Sequence, residues 1–229
     1  SSVEYLCSEN VMPKWITAPE STNVNTTNRW IAFRKDISIN KVPENALARI
    51  AVDSKYWLWI NGKMVIFEGG LKRGPNPQDT YYDEVDLSGY LKKGENKIAV
   101  LLWYFGKDGF SHKSSGKAGF ILDFSQEEIG LSTDNSWLCK VHPAYKDTGA
   151  PLPNYRLPES NIRYDANEEM KDWQVVNCGE LYGFSKAKEI GNWGSAPWNN
   201  LIKRPIPFWK DFGVKTVTQL QRIKGNSVD

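Results

Sequence analysis

The sequence predicts an all-β protein, an antiparallel β-sandwich of the jelly-roll kind with long loops and little helix. Three observations carry this. Short runs rich in aromatic and β-branched residues recur from residue 29 onward, turn residues punctuate them, and amphipathic helical periodicity is nearly absent.

The elements follow in order. "RWIAFRKDISI" (29–39) alternates, with Trp30, Ala32 and Arg34 on one side and Ile31, Phe33, Ile37 and Ile39 on the other, and reads as an edge or half-buried strand. "ALARIAVDSKYWLWINGKMVIFEG" holds a strand through Leu47, Ile50 and Val52 and then a hairpin. The hairpin turns at Asn61 and Gly62, a pair suited to the positive φ angles of a type I′ turn. After the loop "KRGPNPQ", a short strand ends at Asp86, "LSGYL" and "KKGEN" make turns, and residues 97–105 form a buried strand. Further strands are expected at 118–124, 129–132, 136–142, 174–177 and 201–206. The stretch 143–173, with Pro143, Pro151, Pro153 and Pro158, is too rich in proline for regular structure, and loops of that length are often functional. Residues 180–190 and 214–223 are the only helix candidates.

Composition narrows the function. The 229 residues are 40% hydrophobic and 24% charged, as in soluble globular proteins, and the longest apolar runs fall far short of the ~20 residues that span a bilayer. A net charge of +2, without a basic block, argues against nucleic acid as partner. Ten Trp and ten Tyr stand out against three Met; most such rings serve a β core, and some can form the flat, polar-edged platforms on which sugars stack. Cys7, Cys139 and Cys178 are isolated, which argues against structural zinc. An odd count leaves at least one thiol free, and a Cys139–Cys178 bridge stays open.

Chemistry-bearing motifs are sparse. His112 lies near Ser111, Ser114 and Ser115 in "LLWYFGKDGFSHKSSGKAGFIL" (101–122), but neighbours in one loop rarely meet as nucleophile and base, and no G-x-S-x-G elbow is present. "GKDG" and "SSGKAG" lack the phosphate-binding pattern. In "YYDEVDLS", alternation puts Glu84 and Asp86 on one exposed face beside Asp83, which reads as solvated charge rather than a catalytic pair. Such an acidic cluster is a candidate calcium holder, yet no spaced Asp/Asn loop supports it, and no cofactor or metal is expected.

"RWIAFRKDISI", "DSKYWLWINGKMV", "YYDEVDLSGYLKKGENKIAVLLWYFG", "TDNSWLCK" and "APWNNLIKRPIPF" together resemble, in order, the amino-terminal β-sandwich region of bacterial alpha-L-rhamnosidases of glycoside hydrolase family 78. "DSKYWLWINGK" and "VDLSGYLKKGENKIAV" are also similar to the sugar-binding jelly roll of beta-galactosidase-type glycosidases, whereas "NIRYDANEEMKDW" followed by "LIKRPIP" favours the rhamnosidase side. The resemblance implies a galactose-binding-domain-like jelly roll over 28–210, an extension over 1–27 and an outgoing linker over 211–229. Rhamnosidases carry their catalytic carboxylates in a helical barrel that this sequence does not contain. The resemblance therefore implies a non-catalytic accessory domain, with no catalytic residues of its own, that contacts a rhamnose-containing glycan or packs on the barrel of a parent chain. A self-sufficient carbohydrate-binding module is the alternative, and a structural spacer a third reading. The implied setting is bacterial, periplasmic or at the cell surface.

The expected sugar contacts are two patches. Trp103, Tyr104 and Phe105 end a strand and cannot all point inward, so one or two rings are expected at the surface near Asp108 and His112. Trp193 and Trp198, in "GNWGSAPWNN", are expected to resist burial in a Gly/Pro/Asn loop and to form a second platform.

Overall fold

The computed structural model describes residues 12–21, 27–71, 74–108, 112–149 and 162–205. Its strands are β1 (Lys14–Thr17), β2 (Arg29–Ile39), β3 (Leu47–Asp53), β4 (Lys55–Ile60), β5 (Lys63–Gly70), β6 (Thr80–Asp86) and β7 (Gly94–Tyr104), then β8 (Gly119–Phe124), β9 (Leu138–Val141), β10 (Tyr145–Asp147), β11 (Ile162–Tyr164), β12 (Ser185–Lys186), β13 (Lys188–Asn192) and β14 (Leu201–Lys203). One short helix, α1, spans Cys178–Tyr182. Two six-stranded sheets, ordered β13-β1-β8-β3-β6-β14 (sheet A) and β12-β9-β2-β7-β4-β5 (sheet B), face each other as an all-β sandwich of the jelly-roll kind. All pairings are antiparallel except β14 with β6, which is parallel.

Alternation builds the inner core. Ile31 and Phe33 of β2, Tyr56, Leu58 and Ile60 of β4, and Ile98, Val100 and Leu102 of β7 meet Ile50, Phe120, Leu122 and Phe124 of sheet A, with Trp137 between them. Asn61 and Gly62 both take positive φ (51° and 78°), as the hairpin turn requires. At the same end Asn96, fully buried, accepts from Lys92 N–H (2.9 Å) and Asn61 Nδ2 (3.0 Å) and donates to the carbonyls of Lys92 and Gly94. Asn61 Oδ1 in turn accepts from Lys97 N–H at 2.9 Å.

Several expectations are corrected. β2 is an interior strand paired on both sides, and Trp30, Ala32 and Arg34 are buried, because sheet B carries a second layer on its outer face. That layer comes in part from the segment expected to be irregular, 143–173: β10 pairs with β11, and residues 170–184 lie over Ala32, Ala99 and Leu101. Residues 174–177 are turns rather than a strand, and no strand forms over 129–132, where Ile129 closes a 3-10 turn (Glu127–Ile129). The helix expected over 180–190 shrinks to α1 followed by β12 and β13, and the one expected over 214–223 lies outside the described residues. β1 falls within the expected amino-terminal extension yet is an interior strand of sheet A, with Trp15 and Ile16 fully buried. Cys139 and Cys178 are both free, one in the inter-sheet core and the other in the outer layer of sheet B.

Candidate functional site

The expected platform at the end of β7 does not form. Alternation does send Tyr104 inward and Trp103 and Phe105 outward, but outward is not exposed here: the three rings are 5%, 3% and 3% accessible. Trp103 stacks on Trp30 (4.8 Å between centroids), Phe105 packs edge-on to both Trp103 and His112, and the Lys55 ammonium lies 5.7 Å over the Trp103 ring. His112 is also buried and turned inward, away from solvent. Its Nε2 lies 3.3 Å from both Ser54 Oγ and Asp53 Oδ1. Ser54 donates its proton to Asp53 Oδ1 (2.8 Å) and accepts from Phe105 N–H (3.0 Å), while Ser115 gives both its N–H and its hydroxyl to Asp53 Oδ2. A catalytic triad needs acid and nucleophile on opposite imidazole nitrogens; here they share one, so the cluster orders the loop. Asp108 stays on the surface, where Lys113 Nζ (2.6 Å) and Ser114 N–H (2.9 Å) hold its carboxyl below the usual range.

The second expected platform is split. Trp198 is fully buried, stacked on Trp15 at 4.1 Å on the outer face of sheet A, and Gly119 and Gly191 make room: a Cβ at either would sit 3.0 Å from the Trp198 ring. Trp193 is half-buried beneath the Arg49 guanidinium (4.4 Å) and beside Tyr82. The charged residues of β6 separate as expected for Glu84 and Asp86, which are exposed, whereas Asp83 is buried against Arg204 Nε (2.6 Å), Tyr56 OH (3.0 Å) and Gly70 N–H (3.0 Å).

What the fold does assemble is a groove of about 490 Å³ on the outer face of sheet B. Trp30 and Leu101 form its floor, Trp57, Trp59 and Met64 one wall, and His142, Tyr145 and residues 169–174 the other. β4 places Trp57 and Trp59 two residues apart on the same face, and both remain half-buried. Trp30 is sandwiched by stacking on Trp103 and Tyr145 (4.1 Å), and Trp59 meets Trp173 edge-on at 5.7 Å. The volume falls within the ~300–1,000 Å³ of small-molecule sites, and the lining combines aromatic surface with a few polar groups.

The opposite wall is held by a buried cation. Arg34 gives Nη1 to the carbonyls of Trp173 (2.7 Å) and Val176 (2.8 Å) and to Cys178 Sγ (3.2 Å), while Nε and Nη2 grip Asp36. Lys140 Nζ reaches Tyr182 O (2.6 Å), and Tyr182 OH donates to Lys171 O (2.5 Å). Within the groove, His142 Nε2 lies 3.2 Å from Glu169 Oε1, and Tyr164 OH donates to Glu169 Oε2. Burial pushes the His142 imidazole below its ordinary value despite the neighbouring carboxylate, and the bond to Glu169 pushes the Tyr164 phenol up to about 12. Among the described residues no three His, Cys, Asp or Glu side chains cluster to hold a metal ion, and no helix is long and apolar enough to cross a membrane.

None of Trp30, Trp57, Trp59, His142 or Glu169 was expected at a site. One signal was present: in "YWLWI" the two tryptophans fall on one face of a strand that a turn anchors. The other wall comes from residues more than eighty positions away.

The fold and groove define an all-β sandwich with an aromatic outer-face cleft. No family model matches the sequence. An alpha-L-rhamnosidase of Formosa agariphila is 25% identical over 175 residues, covering 70% of this chain and 18% of that protein. Among solved structures, a family 78 rhamnosidase of Bacillus sp. GL1 aligns with a TM-score of 0.72 at 27% identity, over 86% of this chain and 20% of that one. The alpha-L-rhamnosidase of Aspergillus terreus, at 23% identity and a TM-score of 0.58, shares the fold over 83% of this chain and 22% of its own. The chain is thus similar to family 78 alpha-L-rhamnosidases, as its sequence blocks imply, and spans about a fifth of the length of these relatives.

Proposed function

We propose that this chain is a non-catalytic accessory β-sandwich of an alpha-L-rhamnosidase-like glycoside hydrolase, and that its outer-face groove contacts carbohydrate. The observation that carries the reading is the groove itself, where Trp57 and Trp59 offer aromatic surface beside Glu169 and Asp172. The share of the relatives that is matched supports an accessory part, and the engagement of His112 with Asp53 and Ser54 supports a structural role for the one Ser/His cluster near the sequence-predicted loop.

The test is a titration with L-rhamnose, galactose and rhamnose-containing oligosaccharides, followed by tryptophan fluorescence and calorimetry. Saturable binding that Trp59→Ala or Trp57→Ala removes, and Trp198→Phe leaves intact, is the expected result. No binding at millimolar sugar overturns it. A second reading, packing against another domain, is favoured by the exposed apolar rim of the same face, where Phe67 is 58% and Leu181 60% accessible. In that case Phe67→Ser and Leu181→Ser weaken association with a separately produced barrel, while sugar has no effect.

A further inference from the structure

Resting on that reading, we infer that the groove selects a neutral saccharide, whose ring stacks on Trp59 and whose adjacent hydroxyl groups donate to the two oxygens of Glu169. The geometry around Glu169 is that of a fixed acceptor. His142 Nδ1 accepts from Ala144 N–H at 3.2 Å, so Nε2 carries the proton of the neutral ring and faces Oε1 at 3.2 Å. Tyr164 OH serves Oε2. Each carboxylate oxygen has about two acceptor positions; among the described residues one protein donor meets each, leaving a second position on each, side by side, which suits neighbouring hydroxyls on a sugar ring. The Glu169 side chain is 33% exposed, whereas His142 behind it is buried, so the free positions face the groove.

Charge sets the class of sugar. Among the described residues the lining carries the carboxylates of Glu169 and Asp172 against the ammonium of Lys171. Asp172 is held on the exposed rim at a φ of 55°, a conformation Asp tolerates better than most residues. A ligand bearing its own carboxylate or sulfate meets this pair in a partly desolvated cleft and is repelled; a neutral ring is not. Glu169 is therefore a specificity-determining residue, with His142 and Tyr164 as its positioning residues.

The experiment compares galactose, L-rhamnose and galacturonic acid on the intact chain and on Glu169→Gln and Trp59→Ala, by calorimetry. Glu169→Gln keeps the shape of the side chain, and its circular dichroism reports whether it folds. The intact chain is expected to bind a neutral sugar at least about 10-fold more tightly than galacturonic acid, and Glu169→Gln to weaken the neutral sugar by about 10-fold or more, as loss of charge-assisted hydrogen bonds does, while narrowing that gap. If Trp59→Ala removes binding but Glu169→Gln leaves both affinities unchanged, or galacturonic acid binds as well as galactose, the inference falls and carbohydrate contact stands. If none of the sugars binds, both fall together.

Discussion

Replacing Arg34 by Met tests the idea that one buried guanidinium holds the groove together. The side chain is 3% accessible and spends three nitrogens on Trp173 O, Val176 O and Asp36. Met fills much of the volume but takes from Val176 O its donor at 2.8 Å, leaving the Cys178 thiol at 3.6 Å, whose single proton lies closer to Trp173 O at 2.8 Å. An orphaned buried carbonyl costs about 1–3 kcal/mol, and losing the charge-assisted bonds brings the expected cost to about 3 kcal/mol. The loss is local, because Arg34 anchors residues 173–178 and the inter-sheet core lies on the other face of its strand. Hydrogen exchange of amides in 173–184 is therefore expected to rise about 100-fold, at about 1.4 kcal/mol per decade, while amides of β7 and β8 keep their protection. Arg34→Lys, which preserves the charge but not the fork, falls between. A change of less than about 3-fold in 173–184, or an equal loss across the sandwich, refutes the argument.

Further outcomes follow from other parts of the molecule. Gly191→Ala places a Cβ 2.7 Å from Ser195 Oγ and 3.0 Å from Trp198 Cζ3, and urea unfolding is expected to show a loss of about 1–3 kcal/mol, with unchanged stability as the contrary result. Because burial lowers the His142 pKa below its ordinary 6.5, the unfolded chain takes up that proton first. Its contribution is whole above about pH 6.5 and is lost as pH falls through that value towards the folded one; His142→Gln should flatten the fall of the urea midpoint between about pH 7 and 5. Burial pushes the Cys139 thiol up to about 12 and raises that of Cys178, so in a Cys7→Ser background neither should react with a disulfide reagent until denaturant is added. Prompt labelling of the native protein contradicts this.

The local grammar of the fold was legible. Asn61 and Gly62 announced the hairpin, "KKGEN" the reversal into β7, and the apolar run "IAVLLWYF" a buried strand, although one or two of its last three rings were expected at the surface. Assigning what lay beyond each face was not, because alternation separates two sides without saying what covers them. Trp30, Ala32 and Arg34 read as an outward row, and they are, yet residues 170–184 lie across them. The small Ala32 and Ala99 share one buried cluster with Met170 and Trp173, an association between positions far apart in sequence that periodicity does not encode. Trp198 deceived for a similar reason: a loop rich in Gly and Pro suggests exposure, but one of its glycines, Gly191, together with Gly119 of β8, is the clearance that lets the ring in. The groove was missed with the layer that walls it.

The two-sided burial of β7 has a consequence for how the protein finds its alignment. In a strand with one wet face, sliding by a single residue throws apolar groups into water, and that penalty alone fixes the pairing. From Ile98 to Phe105 nearly every residue is apolar and buried, so a slip exchanges one buried hydrocarbon for another and the middle of the strand cannot tell one setting from the next. The stops sit at its two ends. Asn96, with its four bonds to Lys92, Gly94 and Asn61, marks one, and the Phe105 N–H seated on Ser54 Oγ marks the other. The apolar stretch between them behaves like the unmarked part of a ruler, open to changes in hydrocarbon shape, while the few polar residues at its limits carry the graduation.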